Sequence, residues 1–452
     1  MKKKILLLIL LGLLASVTLR AETPMLSVPH GIYSRGFTLY ITSPVAGVSF
    51  YYTDDGSDPR EKGQPYDGSL YISSTAVIRA AYLRKDSIWS DVATASYIFP
   101  QSLLTQGNRP YGYPAYWGKY CQISGSAVAD YEMDPEITRD ATYASYVTEG
   151  ILKLPIVSLV TDRDNLFSRE NDSIKGGIYI YTGCPVGDGT GRGWERPVCF
   201  EMIGGPAAHD LTIDCCLKLH GGHGRLPEKN PKHAFRLHFK SDYGPKKLKY
   251  SVFGDRAPKK FNSIVLRTFF GYSWTHWDNA QRSKAQYTRD LWARETQAKM
   301  GDPISTGQYV HLFINGLYWG MYNLCERITD EELKKLGEAC EAFAEEAMKS
   351  EREKDVKLLA QKDVALHDII VQATGNQRLI QLVNNLSEQM YRYRFEYLKD
   401  LSQHEKLVEE HRVIYESLLN KDCETACAAA RLHIDNQKKA IIRQIRLEKE
   451  KK

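Results

Sequence analysis

The sequence predicts a multidomain chain in three parts: a small β-sandwich, an α+β core and an all-helical bundle. Three observations carry this. Residues 37–99 run in short apolar and polar alternations broken by Gly, Pro and Asp. Residues 100–329 mix further β-rich runs with one helical stretch. Near residue 330 the composition breaks: all 7 Trp lie between Trp89 and Trp319, the last of 18 Pro is Pro303, and of 33 Gly only Gly337 and Gly375 follow residue 329. The chain thus passes from turn-rich and aromatic to uninterrupted and helical. Its 452 residues amount to about three domains of ~150. Lys+Arg 60 against Asp+Glu 55 leaves a net charge of +5, which excludes a strongly basic nucleic-acid coat or an acidic tail for the chain as a whole.

Residues 1–21 open on Met-Lys-Lys-Lys, continue through an apolar run from Ile5 to Ala15 and end Leu-Arg-Ala before Glu22. A basic start, a short apolar middle and a small residue at the cleavage point read as a secretory signal peptide, hence an exported chain. An uncleaved anchor is the alternative, because Leu19 stands where a small residue is usual. No later stretch approaches the ~18 consecutive apolar residues of a membrane helix. The nine cysteines are odd in number and irregularly spaced, so mostly buried free thiols are expected, with at most one or two bridges.

In residues 23–99 the runs FTLYITSP, GVSFYYT, STAVIRAAYL and ASYIF alternate around a turn, Asp54 to Pro59, whose Asp55-Gly56 pair is a hairpin signal. The segment Tyr52-Thr53-Asp54-Asp55-Gly56-Ser57-Asp58-Pro59, followed by Val77-Ile78-Arg79-Ala80, resembles the chitobiase/β-hexosaminidase C-terminal type domain. That resemblance implies an antiparallel sandwich accompanying exported enzymes, serving as a spacer or lying near carbohydrate.

Residues 100–329 contain LPIVSLVTD, GGIYIYT, AFRLHF, NSIVLRTF and a long strand pair turning at Asn315-Gly316, with a helix expected over Ser283 to Lys299. Clusters at Asp130 to Glu136, Leu219-His220-Gly221-Gly222 with Arg225, Pro231 to Arg236, Trp274-Thr275-His276, and Asn315 to Tyr322 leading to Glu326-Arg327 resemble the spore-coat protein H-like (CotH) kinase family. The resemblance implies phosphoryl transfer with ATP and Mg²⁺, which needs phosphate-binding amides or cations and carboxylate-held metal. His220, Gly221, Gly222 and Arg225 would cradle phosphate, since glycines permit a turn and close backbone approach. Lys232 and Arg236, four apart on one strand face, would neutralise phosphate charge, and Glu326 would orient Lys232 as its catalytic partner. The family's acidic PWDxDxxFG segment has no counterpart after Glu326-Arg327, so a catalytically incomplete, C-terminally truncated core is expected.

From residue 331 to 452 every long run has helical periodicity, for example Leu333, Leu336, Cys340 and Phe343, with breaks at Thr374-Gly375-Asn376 and Asn420-Lys421-Asp422. Asp363 and His367 stand four apart on one helix face; His411 follows, and His433 lies 22 residues later. One carboxylate and three imidazoles suit a divalent Zn²⁺, Ni²⁺ or Mn²⁺ with positions left for water or an acid, although helices also scatter such pairs by chance. The run Asp363-x-x-x-His367-Asp-Ile-Ile-x-x-Ala373-Thr374-Gly375-Asn376, then Glu410-His411, Ala426 and His433, resembles the FCD effector-binding domain of GntR-family transcriptional regulators. That resemblance implies Asp363, His367, His411 and His433 as metal ligands, a small organic acid as effector, and a homodimer through the helices. Arg392 and Arg394 are candidates to clamp the acid's carboxylate, or else part of a solvated face. His404 fits no position of the set.

Two functions follow as expectations. In one, an exported CotH-like protein, with a cell-surface protein or carbohydrate as partner, carries an FCD-type metal and acid site. In the other, the chain is a regulator's effector domain in a fused gene product without its helix-turn-helix, cytoplasmic, and reaching DNA only through a separate reader domain.

Overall fold

Alternation in residues 25–98 becomes short strands. The computed structural model describes residues 23–450 except 181–193, 208, 258, 271, 274–275, 277, 301–303, 328–329, 350–354, 375–376 and 420–421, with the backbone alone at 223, 330–332, 334, 377, 387–390, 392–393, 423 and 444–450. The expected leader at 1–21, Trp274-Thr275 and the break residues Gly375-Asn376 and Asn420-Lys421 lie outside the described residues. The chain divides into two compact units, one ending at Glu326 but omitting Asp290–Thr306, the other holding that segment and Arg327–Lys452.

The amino-terminal module is a five-stranded sheet in the order Gly31–Ile32, Ala93–Ile98, Ala76–Leu83, Ser49–Thr53, Gln64–Pro65, with two two-stranded pieces beside it. Its core is Leu39, Ile72, Ile78, Ala95, Tyr97 and Phe99. The expected sandwich was wholly antiparallel, yet Gly31–Ile32 runs parallel to Ala93–Ile98. No hairpin joins these two strands, and the long intervening chain leaves either direction open.

The central region, expected as an α+β core, holds a closed barrel together with helices such as Ala141–Gly150. Its strands are β1 (Ile156–Val160), β2 (Arg196–Ile203), β3 (Leu211–His220), β4 (Ala234–His238), β5 (Ser263–Arg267), β6 (Gly307–Ile314) and β7 (Leu317–Glu326). The order is β1-β2-β3-β4-β5-β7-β6, antiparallel throughout until β6 closes on β1 in parallel, Ile156 opposite His311. Every second residue points inward: Val157 and Leu159, Val198, Phe200 and Met202, Cys215 and Leu217, Phe235 and Leu237, Ile264 and Leu266 all join one core. A barrel this small is filled by its own side chains. The expected helix over Ser283–Lys299 begins only at Arg289; a separate turn, Asn279–Arg282, is capped by the Asp278 carboxylate accepting from the amides of Ala280 and Gln281.

The β module is seated on the outer face of this barrel. Ile98 packs with Ile156, Ile203 and Phe313. Lys62 reaches Asp162 at 2.7 Å and Arg163 reaches Asp55 at 3.2 Å. Deeper in the contact, fully buried Glu201 accepts from His30 Nδ1 at 2.7 Å, from the Ser96 amide at 3.2 Å and from the Ser96 hydroxyl. Burial alone would lower the His30 pKa, but the hydrogen bond and attraction of Glu201, with Asp210 behind, raise it above the usual value. A histidine raised on folding stabilises fully below its unfolded value of about 6.5 and ceases to as pH rises through the folded value. His30→Gln should therefore lower the melting temperature of unit one more at pH 5.5 than at pH 8.5; an equal loss at both values would show that the His30 charge does not hold the module.

Among the described cysteines, Cys199, Cys215, Cys216 and Cys325 are buried free thiols, as expected, while Cys121 is disulfide-bonded.

The second unit is helical: α1 (Asp330–Ala347), α2 (Val356–Ala373), α3 (Gln377–Asn385), α4 (Ser387–Leu398), α5 (His404–Leu419) and α6 (Cys423–Glu450). Helix α1 packs on α2 and α5, and α6 on α5 and α4. Asp355 starts α2 by accepting from the amides of Lys357 and Leu358. Gly337 lets α1 approach α5, because a Cβ there would lie 2.7 Å from the Tyr415 hydroxyl oxygen. The core gathers Phe343, Ala347, Leu359, Ala360, Tyr397, Leu398 and Leu407.

Candidate metal centre

Helix α2 contributes two side chains to one face, Asp363 and His367, because four residues return the helix nearly to the same angle. Helix α5 supplies His411 and α6 supplies His433. One ring nitrogen from each histidine lies within 4.8 Å of those of the other two. His433 Nε2 is 3.3 Å from His367 Nε2; Asp363 Oδ1 is 3.4 Å from His411 Nε2 and 3.7 Å from His367 Nε2. The four residues implied by the FCD resemblance are thus brought together from three helices.

Their surroundings are dry. Asp363, His411 and His433 are each 1 % exposed. Burial, with Arg394 and the neighbouring rings adding to it, holds His367 well below the usual value; burial, then His433 and Arg394, pushes His411 down to about 3. Burial raises the Asp363 carboxyl against the pull of Arg394 and His433. Neutral imidazoles are the form that binds metal.

Whether a divalent ion suits this cluster is tested by its hydrogen bonds. Neither Asp363 oxygen and neither His411 nitrogen makes one, although all four atoms are buried. Buried polar groups without partners are rare in folded proteins and each calls for an explanation. A cation among three imidazoles and a carboxylate would satisfy Asp363 Oδ1 and His411 Nε2, so the residues fit such an ion.

Partners outside the four hold them in place. His433 Nδ1 meets Glu410 Oε2 at 2.8 Å, and Asn436 Nδ2 donates to the other Glu410 oxygen at 2.7 Å. A carboxylate at Nδ1 keeps the proton there and leaves Nε2 as the donor atom. Arg394 Nε lies 3.3 Å from Asp363 Oδ2, so Oδ1 faces the histidines while Oδ2 faces a guanidinium. The expectation that Arg394 clamps an acid meets a residue already paired with Asp363. The Arg392 side chain lies outside the described residues. His404, which fitted no position, instead contacts the Leu398 carbonyl through Nε2 at 2.8 Å.

A family model described as the FCD domain matches residues 321–436. The helical segment is similar to that family, and the match takes in all four candidate ligands. It begins inside β7, so its first residues belong to a barrel strand. A second model, the chitobiase/beta-hexosaminidase C-terminal domain, matches residues 28–94. No curated protein matches the chain. The motifs that resemble the CotH family lie outside the second match and, apart from residues 321–327, outside the first, and neither match supports that resemblance.

Those barrel residues are more dispersed than the helical set. His220 ends β3 opposite Ala234, Gly221 and Gly222 are exposed, and Arg225 is buried. The loop is pinned through Gly224, whose carbonyl accepts from Asn230 Nδ2 at 3.1 Å and contacts His233 Nδ1 at 3.3 Å. Lys232 precedes β4, so it shares no strand face with Arg236, contrary to expectation. Its ammonium donates to the Trp319 carbonyl at 2.9 Å and lies 5.6 Å from that ring's centroid; the expected pairing with Glu326 is not made. Burial lowers the Lys232 pKa, opposed by Asp130. Both line a cavity of about 590 Å³ walled by Trp117, Phe269, Tyr287 and Tyr322.

Sequence reading missed Glu410, Asn436 and Gln437 as parts of the helical centre. Gln437 had a signal, standing four residues after His433 on the same helix face. Glu410 stood beside His411 in the FCD-like motif, but its contact with His433 had no signal, because that partner lies on another helix.

Proposed function

We propose that the helical segment is a metal-dependent binding site for a small organic acid, carried by an exported chain. FCD domains are the effector-binding domains of GntR-type regulators and typically bind small organic acids. The observation that carries the reading is the pair of buried residues, Asp363 and His411, whose polar atoms have no hydrogen bond while facing two further imidazoles. Bound there, a divalent ion would supply a Lewis-acidic anchor for a carboxylate. Asp363 Oδ1 and the Nε2 atoms of His367, His411 and His433 would hold it, a nitrogen-rich set suited to Zn²⁺, Ni²⁺ or Mn²⁺. Glu410 fixes the His433 tautomer, Arg394 neutralises Asp363 Oδ2, and Phe343 against the His411 ring excludes water.

For the barrel we read a kinase-like scaffold without catalysis: Lys232 is committed to Trp319, and no acidic segment of the PWDxDxxFG kind follows β7. The basic-apolar leader sequence and the Cys121 disulfide, a bond of oxidising compartments, support export. The FCD match favours a second reading, a regulator's effector domain in a fused product kept inside the cell.

Elemental analysis of the purified chain should return about one divalent ion per molecule, as a single ligand cluster requires. Full metal content in a His411→Ala, His433→Ala double variant would remove the four-ligand site.

A further inference from the structure

Gln437 is 8 % exposed and stands one turn beyond His433 on α6, just outside the segment similar to the FCD family. Its Nε2 lies 3.0 Å from His433 Nε2. On the opposite side of that ring, Glu410 accepts from Nδ1. With the proton at Nδ1, Nε2 offers a single lone pair, and the Gln437 amide donates to it. That lone pair is also the one a metal would take.

The two uses exclude each other. An ion held by His433 Nε2 displaces the Gln437 N–H, which then lies buried with no acceptor, and an unsatisfied buried donor is costly. A carboxylate oxygen of an acid seated beside the ion is an acceptor of the right kind. Resting on the metal-centre reading above, we propose that Gln437 couples the two ligands: its amide gives up His433 when metal binds and hydrogen-bonds the acid that follows. Metal binding alone therefore works against Gln437, and acid binding works through it. Removing the amide acts on the two affinities in opposite directions, a signature that loose packing does not produce.

The test uses the whole chain, stripped with a chelator, and calorimetric titration of Zn²⁺ followed by acetate or malonate as acid probes. In Gln437→Leu, zinc alone should bind more tightly than in the parent, by up to about tenfold, and the acid about tenfold more weakly, the effect of one hydrogen bond. Gln437→Glu, similar in size and anionic, should strengthen zinc and weaken the acid further, and serves where the leucine variant does not fold. A fall in both affinities together, or no change in either, overturns the coupling. If the parent binds zinc but neither acid alters its affinity, the coupling is overturned and the metal centre stands. If the parent binds no zinc, the metal centre itself fails, and the coupling with it.

Discussion

Replacing His411 by Leu should make the metal-free chain more stable and the zinc-saturated chain less stable. The His411 ring is 1 % exposed, packs at 4.7 Å on Phe343, and leaves both nitrogens without a hydrogen bond. Each such buried group costs roughly 1–3 kcal/mol, and a leucine of similar volume removes the cost without opening a large void. Without metal, the variant should gain about 1 kcal/mol. Zinc at a thousandfold excess over its dissociation constant stabilises the parent by about 4 kcal/mol, most of which the variant forfeits. Denaturant unfolding of the helical unit, with chelator and with zinc, reads both signs. A variant weaker in both conditions would mean that His411 is ordinary core. The pH dependence points the same way. In metal-free protein, unfolded histidines take up protons below about 6.5 while folded His411 resists until about 3, so the parent loses stability as pH falls through that window. The leucine variant lacks His411's share of that slope.

Gly56→Ala should be a strongly damaging change in the β module. Gly56 has φ +87°, and a Cβ there would lie 2.4 Å from Asn315 Oδ1 and 2.5 Å from the Thr161 carbonyl. Neither atom is free to retreat: Asn315 Oδ1 accepts from the Thr161 amide at 2.9 Å, and Asn315 Nδ2 donates to the Thr161 carbonyl at 2.8 Å. The left-handed backbone alone costs about 1–2 kcal/mol for a non-glycine residue, and displacing two buried hydrogen bonds should bring the loss to about 4 kcal/mol or more. Gly68 is the control, since it has φ +119° but no atom within 4 Å of its Cβ position. Urea unfolding followed by tryptophan fluorescence compares them. If Gly56→Ala costs no more than Gly68→Ala, the turn is not wedged against the barrel.

What could be read ahead of the structure was local. The Asp55-Gly56 turn and the Asn315-Gly316 hairpin announce themselves because few residues tolerate their backbone angles; Asn315 has φ +48° and Gly316 φ +79°. Asp363 and His367 share a face by helical arithmetic, and His411 and His433 were reachable through motif order. The barrel was not legible, because period-two alternation fixes which side chains face inward but not that β6 returns to lie parallel to β1. The Lys232 partner was misjudged for a similar reason. Proximity to Glu326 was inferred from family order, whereas the folded chain offers the Trp319 backbone carbonyl first. Glu410 and Arg394 support the metal residues across helix boundaries, and no spacing encodes such a pair.

Asn315 occupies the tip of the β6–β7 hairpin, and its amide group bridges to the end of β1 directly beneath Gly56. One side chain therefore belongs to two cooperative structures at once: it helps complete the ring of strands and forms the floor on which the neighbouring module rests. Lifting the module away would uncover this pair of hydrogen bonds, which lies within the barrel, so the seating of the module shields the point where the barrel closes. The turn by which the module resembles carbohydrate-enzyme appendages is, in this chain, occupied as an internal rivet.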